Sequence, residues 1–205
     1  MCNSTSKSNV MNLSQSSLSF SEEILHIADC VRAGKVILYP TDTIWGIGGS
    51  ISIPAVSQKI FDIKGRPPSK SFILLVNDVT MLSRYIHPIP PKIENILSVT
   101  SRPITVIYPY PINLPSHCLA DDGSVAIRIC ADNFCKELIQ ELDECIISTS
   151  ANVSGKPFPR FFGEVSSDVL SSVDCIVKHR QWDKAIGEPS TLIKYGKDDS
   201  IEFLR

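Results

Sequence analysis

Short continuous apolar runs alternate along the chain with stretches in which apolar residues recur every three or four positions, the pattern of buried strands interleaved with amphipathic helices. Val36 to Tyr39, Phe72 to Val76, Ile104 to Tyr108, Ser124 to Ile129, Glu144 to Thr149, Cys175 to Lys178, Thr191 to Tyr195 and Ile201 to Leu204 predict strands. Ile24, Ile27, Ala28 and Val31 share one helical face. Ser21 is the expected cap, Phe20 is expected to staple to Leu25, and Gly34 stops the helix. Pro54 to Ile63 predicts a second helix with Val56, Ile60 and Ile63 inward. Asp78 should cap a helix through Tyr85, and a further helix ends near Ser98 after the break at Pro88, Pro90 and Pro91. Asp132 should cap a helix that buries Phe134, Leu138, Ile139 and Leu142, and a short helix is expected over Glu164 to Leu170. The strand ending at Pro40, the helix from Pro54 and the strand from Phe72 read as a β-α-β unit. Gly46, Gly48 and Gly49 read as a loop that lets the backbone approach a ligand, and Pro109 to Asp122 as a loop that covers a site. The irregular alternation predicts a single-domain α/β fold whose twisted mixed sheet, partly antiparallel, is flanked by helices.

Composition narrows this picture without changing it. The 205 residues are 43% hydrophobic, enough for a core, and the formal charge of -2 gives no broadly basic surface for non-specific nucleic-acid binding. Residues 1–20 hold seven serines and a single charge, Lys7, and are expected to be a disordered extension before a domain at 21–205. A continuous apolar signal core, an arginine-rich leader and any run of about 18 apolar residues are all missing, so a cytoplasmic protein is expected. The seven cysteines form no Cys-x-x-Cys pair and the four histidines complete no zinc pattern, which points to reduced thiols and no metal site. His117-Cys118 are adjacent and would point apart in an extended loop.

Four stretches carry candidate chemistry. Pro40-Thr41-Asp42-Thr43 places hydroxyls and a carboxylate at a strand's C-terminal end, where open α/β sheets bind ligands. Lys64, Arg66 and Lys70 bring three positive charges within seven residues, either a phosphate clamp or a solvated basic turn. Arg128 interrupts the apolar strand Val125-Ala126-Ile127-Arg128-Ile129. Alternation puts it opposite Ile127 and Ile129, facing either a buried anion or water. Ser148-Thr149-Ser150-Ala151-Asn152-Val153-Ser154-Gly155 ends a strand in hydroxyl and amide groups that either donate to ligand oxygens or cap a helix. Neither a Gly-x-x-x-x-Gly-Lys-Ser/Thr loop nor a Gly-x-Gly-x-x-Gly turn is present.

Pro40-Thr41-Asp42-Thr43-Ile44-Trp45-Gly46-Ile47, Lys64-Gly65-Arg66-Pro67, the Arg128 strand, Ser148 to Gly155, Pro189-Ser190-Thr191 and Phe203-Leu204-Arg205 together resemble the YrdC-like family of threonylcarbamoyl-AMP synthases. Trp45 stands where the family usually has tyrosine, and Ser101-Arg102-Pro103 replaces its usual turn. The resemblance implies a YrdC-like fold with a concave basic ligand cleft. It also implies a reaction that joins L-threonine, bicarbonate and ATP into threonylcarbamoyl-AMP and pyrophosphate, in support of tRNA threonylcarbamoyladenosine modification. Lys64 and Arg66 would be catalytic and would hold ATP with Ser124, Ser150, Asn152 and Arg205. Thr41, Arg128, Ser148 and Ser190 would hold threonine. ATP would be a substrate that brings Mg2+, with no tightly bound cofactor, and the partners would be downstream tRNA threonylcarbamoyl transferase proteins, with weak contact to tRNA or double-stranded RNA. The alternative is a family member that binds RNA without synthase activity, its phosphate contacts coming from Lys64, Arg66, Lys70, Arg128, Lys156 and Arg160.

Overall fold

A computed structural model describes residues 18–65 and 72–205. The disordered extension expected over 1–20 lies outside these residues up to position 17, and its last positions begin a helix instead. α1 (Phe20–Arg32) is capped by Ser19: its hydroxyl accepts from Glu22 N–H at 3.3 Å, and the Glu22 carboxylate accepts from Ser19 N–H at 2.8 Å. This reciprocal box satisfies two orphan donors at once, so it prevails over Ser21, the expected cap. Phe20 packs edge-on against Phe134 and His179, and Leu25 is exposed, so the expected staple does not form.

The remaining elements follow the apolar runs closely, with one addition. β1 (Ile37–Tyr39) is followed by β2 (Gly46–Ser50), α2 (Pro54–Lys64) and β3 (Ile73–Val76). α3 (Val79–Tyr85) is capped by Asp78, whose carboxylate accepts from Met81 N–H at 2.7 Å; α4 (Pro91–Val99) precedes β4 (Ile104–Tyr108) and β5 (Val125–Ile129). α5 (Asn133–Leu142), capped by Asp132, leads to β6 (Ile146–Ser150), α6 (Ser167–Ser172), β7 (Cys175–Ile176), β8 (Thr191–Tyr195) and β9 (Ile201–Phe203). Among the described residues nine strands form one sheet in the order β7-β1-β2-β6-β3-β5-β4-β8-β9. β1 with β7, β3 with β5, and β4 with β8 run parallel, and the other neighbours are antiparallel. The sheet is mixed, as expected.

β2 is the departure. Its three glycines read as a ligand-facing loop, yet all five residues are buried and it pairs with β1 on one side and β6 on the other. β2 and β6 therefore separate β1 from β3, and the expected β-α-β unit does not have its two strands side by side. The glycines are there for room. A Cβ on Gly48 would lie 1.9 Å from the Ile147 carbonyl oxygen, and a Cβ on Gly49 would lie 2.8 Å from Val56 Cγ1. Gly48→Ala is expected to cost about 3 kcal/mol, because the atom it meets is backbone in a central strand that cannot move aside. A denaturant midpoint unchanged from the parent would refute this.

Cross-strand register defines one face of the sheet. Tyr39 pairs with Gly46, Gly48 with Ser148, Ile73 with both Ser148 and Ala126, and Arg128 with Thr105, so these residues point the same way. Leu38, Ile47, Ile147, Leu74 and Ile127 point to the opposite face and are buried. Among the described residues no helix is long and apolar enough to cross a membrane.

Candidate functional site

A cleft of about 630 Å³ opens on the face that carries Arg128 and Ser148. β2 contributes Gly46, β6 contributes Ser148 and Ser150, and β5 contributes Ala126 and Arg128. The loop after β1 adds Thr41, Thr43 and Ile44, and the segment before β8 adds Pro189 and Ser190. Thr41, Arg128, Ser148, Ser150, Ser190 and Arg205, six of the ten residues selected from sequence, line this one cleft.

Arg128 is 5% exposed, which resolves its two sequence readings in favour of a buried charge. Its Nη1 donates to Thr43 Oγ1 at 3.0 Å, and its Nη2 lies 3.2 Å from Asp42 Oδ1. Asp42 Oδ2 accepts from Ala131 N–H at 3.0 Å. Arg128 Nε–H is buried without an acceptor among the described residues. A buried unpaired donor on an arginine costs free energy unless something occupies it, and a carboxylate is the natural complement.

The hydroxyls beside Arg128 have their protons assigned by their partners. Thr41 Oγ1 donates to the Ile44 carbonyl at 2.8 Å, and it accepts from Thr43 N–H at 3.0 Å. Its only proton is thereby used, so in the 2.8 Å contact with Thr43 Oγ1 the donor is Thr43. Thr43 is then free to accept from Arg128. The Thr41 hydroxyl is thus committed inside the loop, and its carbonyl accepts from Arg180 Nη1 at 3.2 Å. Ser190 Oγ is 2.7 Å from Thr105 Oγ1, and Arg205 Nε donates to the Ser190 carbonyl at 3.3 Å.

Lys64 ends α2 and is 3% exposed. Its ammonium donates to the carbonyls of Ser150 at 2.6 Å and Asn152 at 2.8 Å, with Ser150 Oγ and Asn152 Oδ1 at 3.4 Å. Gly65 follows with φ 57°, the left-handed cap that releases the chain toward residue 66. Lys64 and Asn152 stand behind Ser150 rather than on the cleft surface. Asn152 uses its amide N–H groups on the carbonyls of Lys156 and Val153. Ser124 is also off the cleft surface; its hydroxyl donates to Asp122 at 2.6 Å, which holds that carboxyl below its usual range. Arg66 and Lys70 lie outside the described residues.

Four further groups complete the site, three of which the sequence did not single out. Thr43 and Thr105 touch Arg128 and Ser190, and Tyr39 donates to Ser148 Oγ at 2.7 Å. Arg180 ties the loop after β1 to Asp132 at 2.6 Å and Asp183 at 3.2 Å. Thr43 was legible as the second hydroxyl of Thr41-Asp42-Thr43; the others depend on strand register or on a contact across 48 or more residues. Gly187 packs its backbone on the same loop so closely that a Cβ there would lie 1.7 Å from the Thr43 carbonyl oxygen.

Several other candidates have structural roles. His117 Nε2 donates to the Ile51 carbonyl at 2.9 Å, and burial pushes the Cys118 thiol up to about 12, so that thiol is not a nucleophile at neutral pH. The described cysteines are unpaired. Of the cations considered for RNA, Lys64 and Arg128 are buried, and Arg160 is paired with Glu164 at 2.6 Å. Lys156 is exposed, Arg66 and Lys70 lie outside the described residues, and among the described residues nothing observed favours the RNA-binding alternative.

A family model named Sua5_yciO_yrdC and described as telomere recombination matches residues 29–205. The threonylcarbamoyl-AMP synthase of Pyrococcus abyssi is 29% identical over 167 residues, which is 81% of this chain and 48% of that protein. The protein of the same name from Nitrosococcus oceani is 32% identical over 151 residues, 73% of this chain and 82% of its own length. Among solved structures, Pyrococcus abyssi Sua5 complexed with L-threonine matches with a TM-score of 0.79 at 25% identity, covering 92% of this chain and 55% of that one. Escherichia coli YciO matches in fold with a TM-score of 0.77 at 24% identity, covering 89% and 87%. The chain thus spans about half the length of the Pyrococcus proteins and about four fifths of the Nitrosococcus one.

Proposed function

The chain belongs to the Sua5, YciO and YrdC family, and from that premise we propose that it joins L-threonine, bicarbonate and ATP into threonylcarbamoyl-AMP with release of pyrophosphate and water. The observation that carries the reading is Arg128, a buried guanidinium on the cleft with Nε–H unpaired among the described residues. An amino-acid carboxylate fits it. Ser148 and Ser190 then stand to either side as hydroxyl partners, while Thr41 shapes the loop through Thr43 and Arg180. In the reaction the threonine amine takes up the carbon of bicarbonate as a carbamate, with loss of water. A carbamate oxygen then bonds to the α-phosphorus of ATP as the bond to the pyrophosphate oxygen breaks.

The protein's work is to hold anions in contact and neutralise charge on the transferring group. Arg66, Ser150 and Arg205 are suited to the phosphates, with Lys64 holding the Ser150 and Asn152 carbonyls from behind and Asn152 and Ser124 supporting the segments that carry these groups. Magnesium would enter with ATP and help neutralise the phosphates; Asp42, a carboxylate beside the cleft, lies 3.2 Å from Arg128 and accepts from Ala131 N–H. Residues 21–205 act as one domain. The product serves cytoplasmic proteins that transfer threonylcarbamoyl to tRNA.

The test is pyrophosphate release from ATP by the purified chain, with L-threonine and bicarbonate supplied together and singly. Release that requires both supports the synthase reading. Release indifferent to either co-substrate, or none at all, removes it.

A further inference from the structure

We propose that Tyr39 is a positioning residue of the cleft. Its buried phenol fixes the direction of the Ser148 proton and makes Ser148 an obligate hydrogen-bond donor to an oxygen anion of the ligand. Naming that ligand as L-threonine rests on the synthase reading; the proton placement does not.

The geometry begins in the glycines of β2. Tyr39 lies on β1 and Ser148 on β6, with β2 between them. A side chain crosses an intervening strand only where that strand has no side chains on the shared face. Gly46 and Gly48 occupy that face, since Gly46 pairs with Tyr39 and Gly48 with Ser148. The Tyr39 ring lies over them. A Cβ on Gly48 would be 3.2 Å from Tyr39 Cε1, and a Cβ on Gly46 would be 3.6 Å from Tyr39 Cζ and 3.4 Å from Ser148 Oγ. The ring therefore fills the trough left by the glycines and delivers its hydroxyl to Ser148 at 2.7 Å.

Proton counting does the rest. Tyr39 is 0% exposed, and its hydroxyl has no other hydrogen-bond acceptor among the described residues. Were Ser148 the donor, the Tyr39 proton would be buried without a partner, the costlier arrangement. Tyr39 therefore donates, and the phenol cannot give up that proton near neutral pH: burial pushes its pKa far above the usual tyrosine range, and the bond to Ser148 lowers it only in part. Ser148 has one hydroxyl proton, and Tyr39 takes one of its two acceptor positions. Ser148 lines the cleft, which leaves the cleft as the direction for its proton. On the same floor Arg128 is also a donor. The corner between Ser148 and Arg128 thus presents N–H and O–H groups together, a polarity suited to carboxylate or carbamate oxygens.

Two experiments test this. Neutron diffraction from deuterated protein reads the deuterons directly. The expected result is a Tyr39 deuteron on the line to Ser148 Oγ and a Ser148 deuteron turned to the cleft; a Ser148 deuteron directed at Tyr39 overturns the proposal whatever the ligand is. Calorimetric titration with L-threonine and with ATP, on Tyr39→Phe, Ser148→Ala and the double variant, reads the consequence. Tyr39→Phe should weaken L-threonine binding about 5- to 10-fold with ATP affinity retained, and should cause no further loss on top of Ser148→Ala. The phenylalanine ring keeps the trough filled, so a general packing defect would weaken both ligands, or weaken L-threonine equally in both backgrounds; either result overturns the positioning role. Absence of L-threonine binding by the parent protein removes the synthase reading and the ligand named here, and the neutron arm still decides the proton placement.

Discussion

Arg128→Met is expected to destabilise the protein by about 3 to 5 kcal/mol and to remove measurable binding of L-threonine. Arg128 and Asp42 are 5% and 8% exposed and 3.2 Å apart, so each is desolvated and depends on the other. Removing one partner of such a pair strands the other charge in a poorly solvated site, which costs far more than the pair contributes in net stability. Asp42 would keep only the Ala131 N–H, and Thr43 would lose the donor that fills its acceptor position. The double variant Asp42→Asn, Arg128→Met removes both charges, and it should recover a large part of the stability without recovering threonine binding. Urea unfolding of the three proteins measures the first effect, and calorimetry with L-threonine the second. Equal destabilisation in the single and double variants would show that the pair is not coupled as the geometry requires.

The second large effect is expected at Lys64. Lys64→Met should lower pyrophosphate release by about 10²-fold, the cost of misplacing by about 1 Å a group that the ammonium holds in position. The ammonium bridges the end of α2 to the Ser150 and Asn152 carbonyls, directly behind the hydroxyl that Ser150 presents to the cleft. Its loss has a structural component too. Ser154 N–H donates to the Lys64 carbonyl at 2.9 Å, so the backbone tie between α2 and the 150–154 segment survives, while the two carbonyls lose a charged donor. Lys64→Arg should not restore the rate, because a planar guanidinium does not reproduce a compact ammonium held among four oxygens. L-Threonine affinity, read separately, should change much less than turnover; an equal loss in both would assign Lys64 to maintaining the cleft as a whole.

Both variants act on residues that the sequence had picked out, and the fold shows why some were legible. Lys64 stands in a seven-residue basic run, Arg128 breaks an apolar strand, and Ser148 and Ser150 belong to a dense row of hydroxyls. Each is a local anomaly, a polar group where the period calls for an apolar one or a charge run without its opposite. The same local logic located α5 and its cap Asp132, α3 and its cap Asp78, and the apolar strands β3, β4 and β5. It misplaced the cap of α1 by two residues, although Ser19 and Glu22 stand at capping-box spacing.

The sequence by itself determined the helices, most strands, the family and the types of group at the site, because periodicity and motif spacing are short-range properties of the chain. Tertiary structure decided what each group does. Glycine carries no apolar signal, so β2 is a strand only because β1 and β6 close on it and Tyr39 reaches across it. Register, which depends on pairing between distant segments, set Thr105 beside Arg128 and Gly48 beside Ser148. Burial then converted an arginine with two possible faces into a paired charge, and a row of hydroxyls into donors and acceptors of fixed direction.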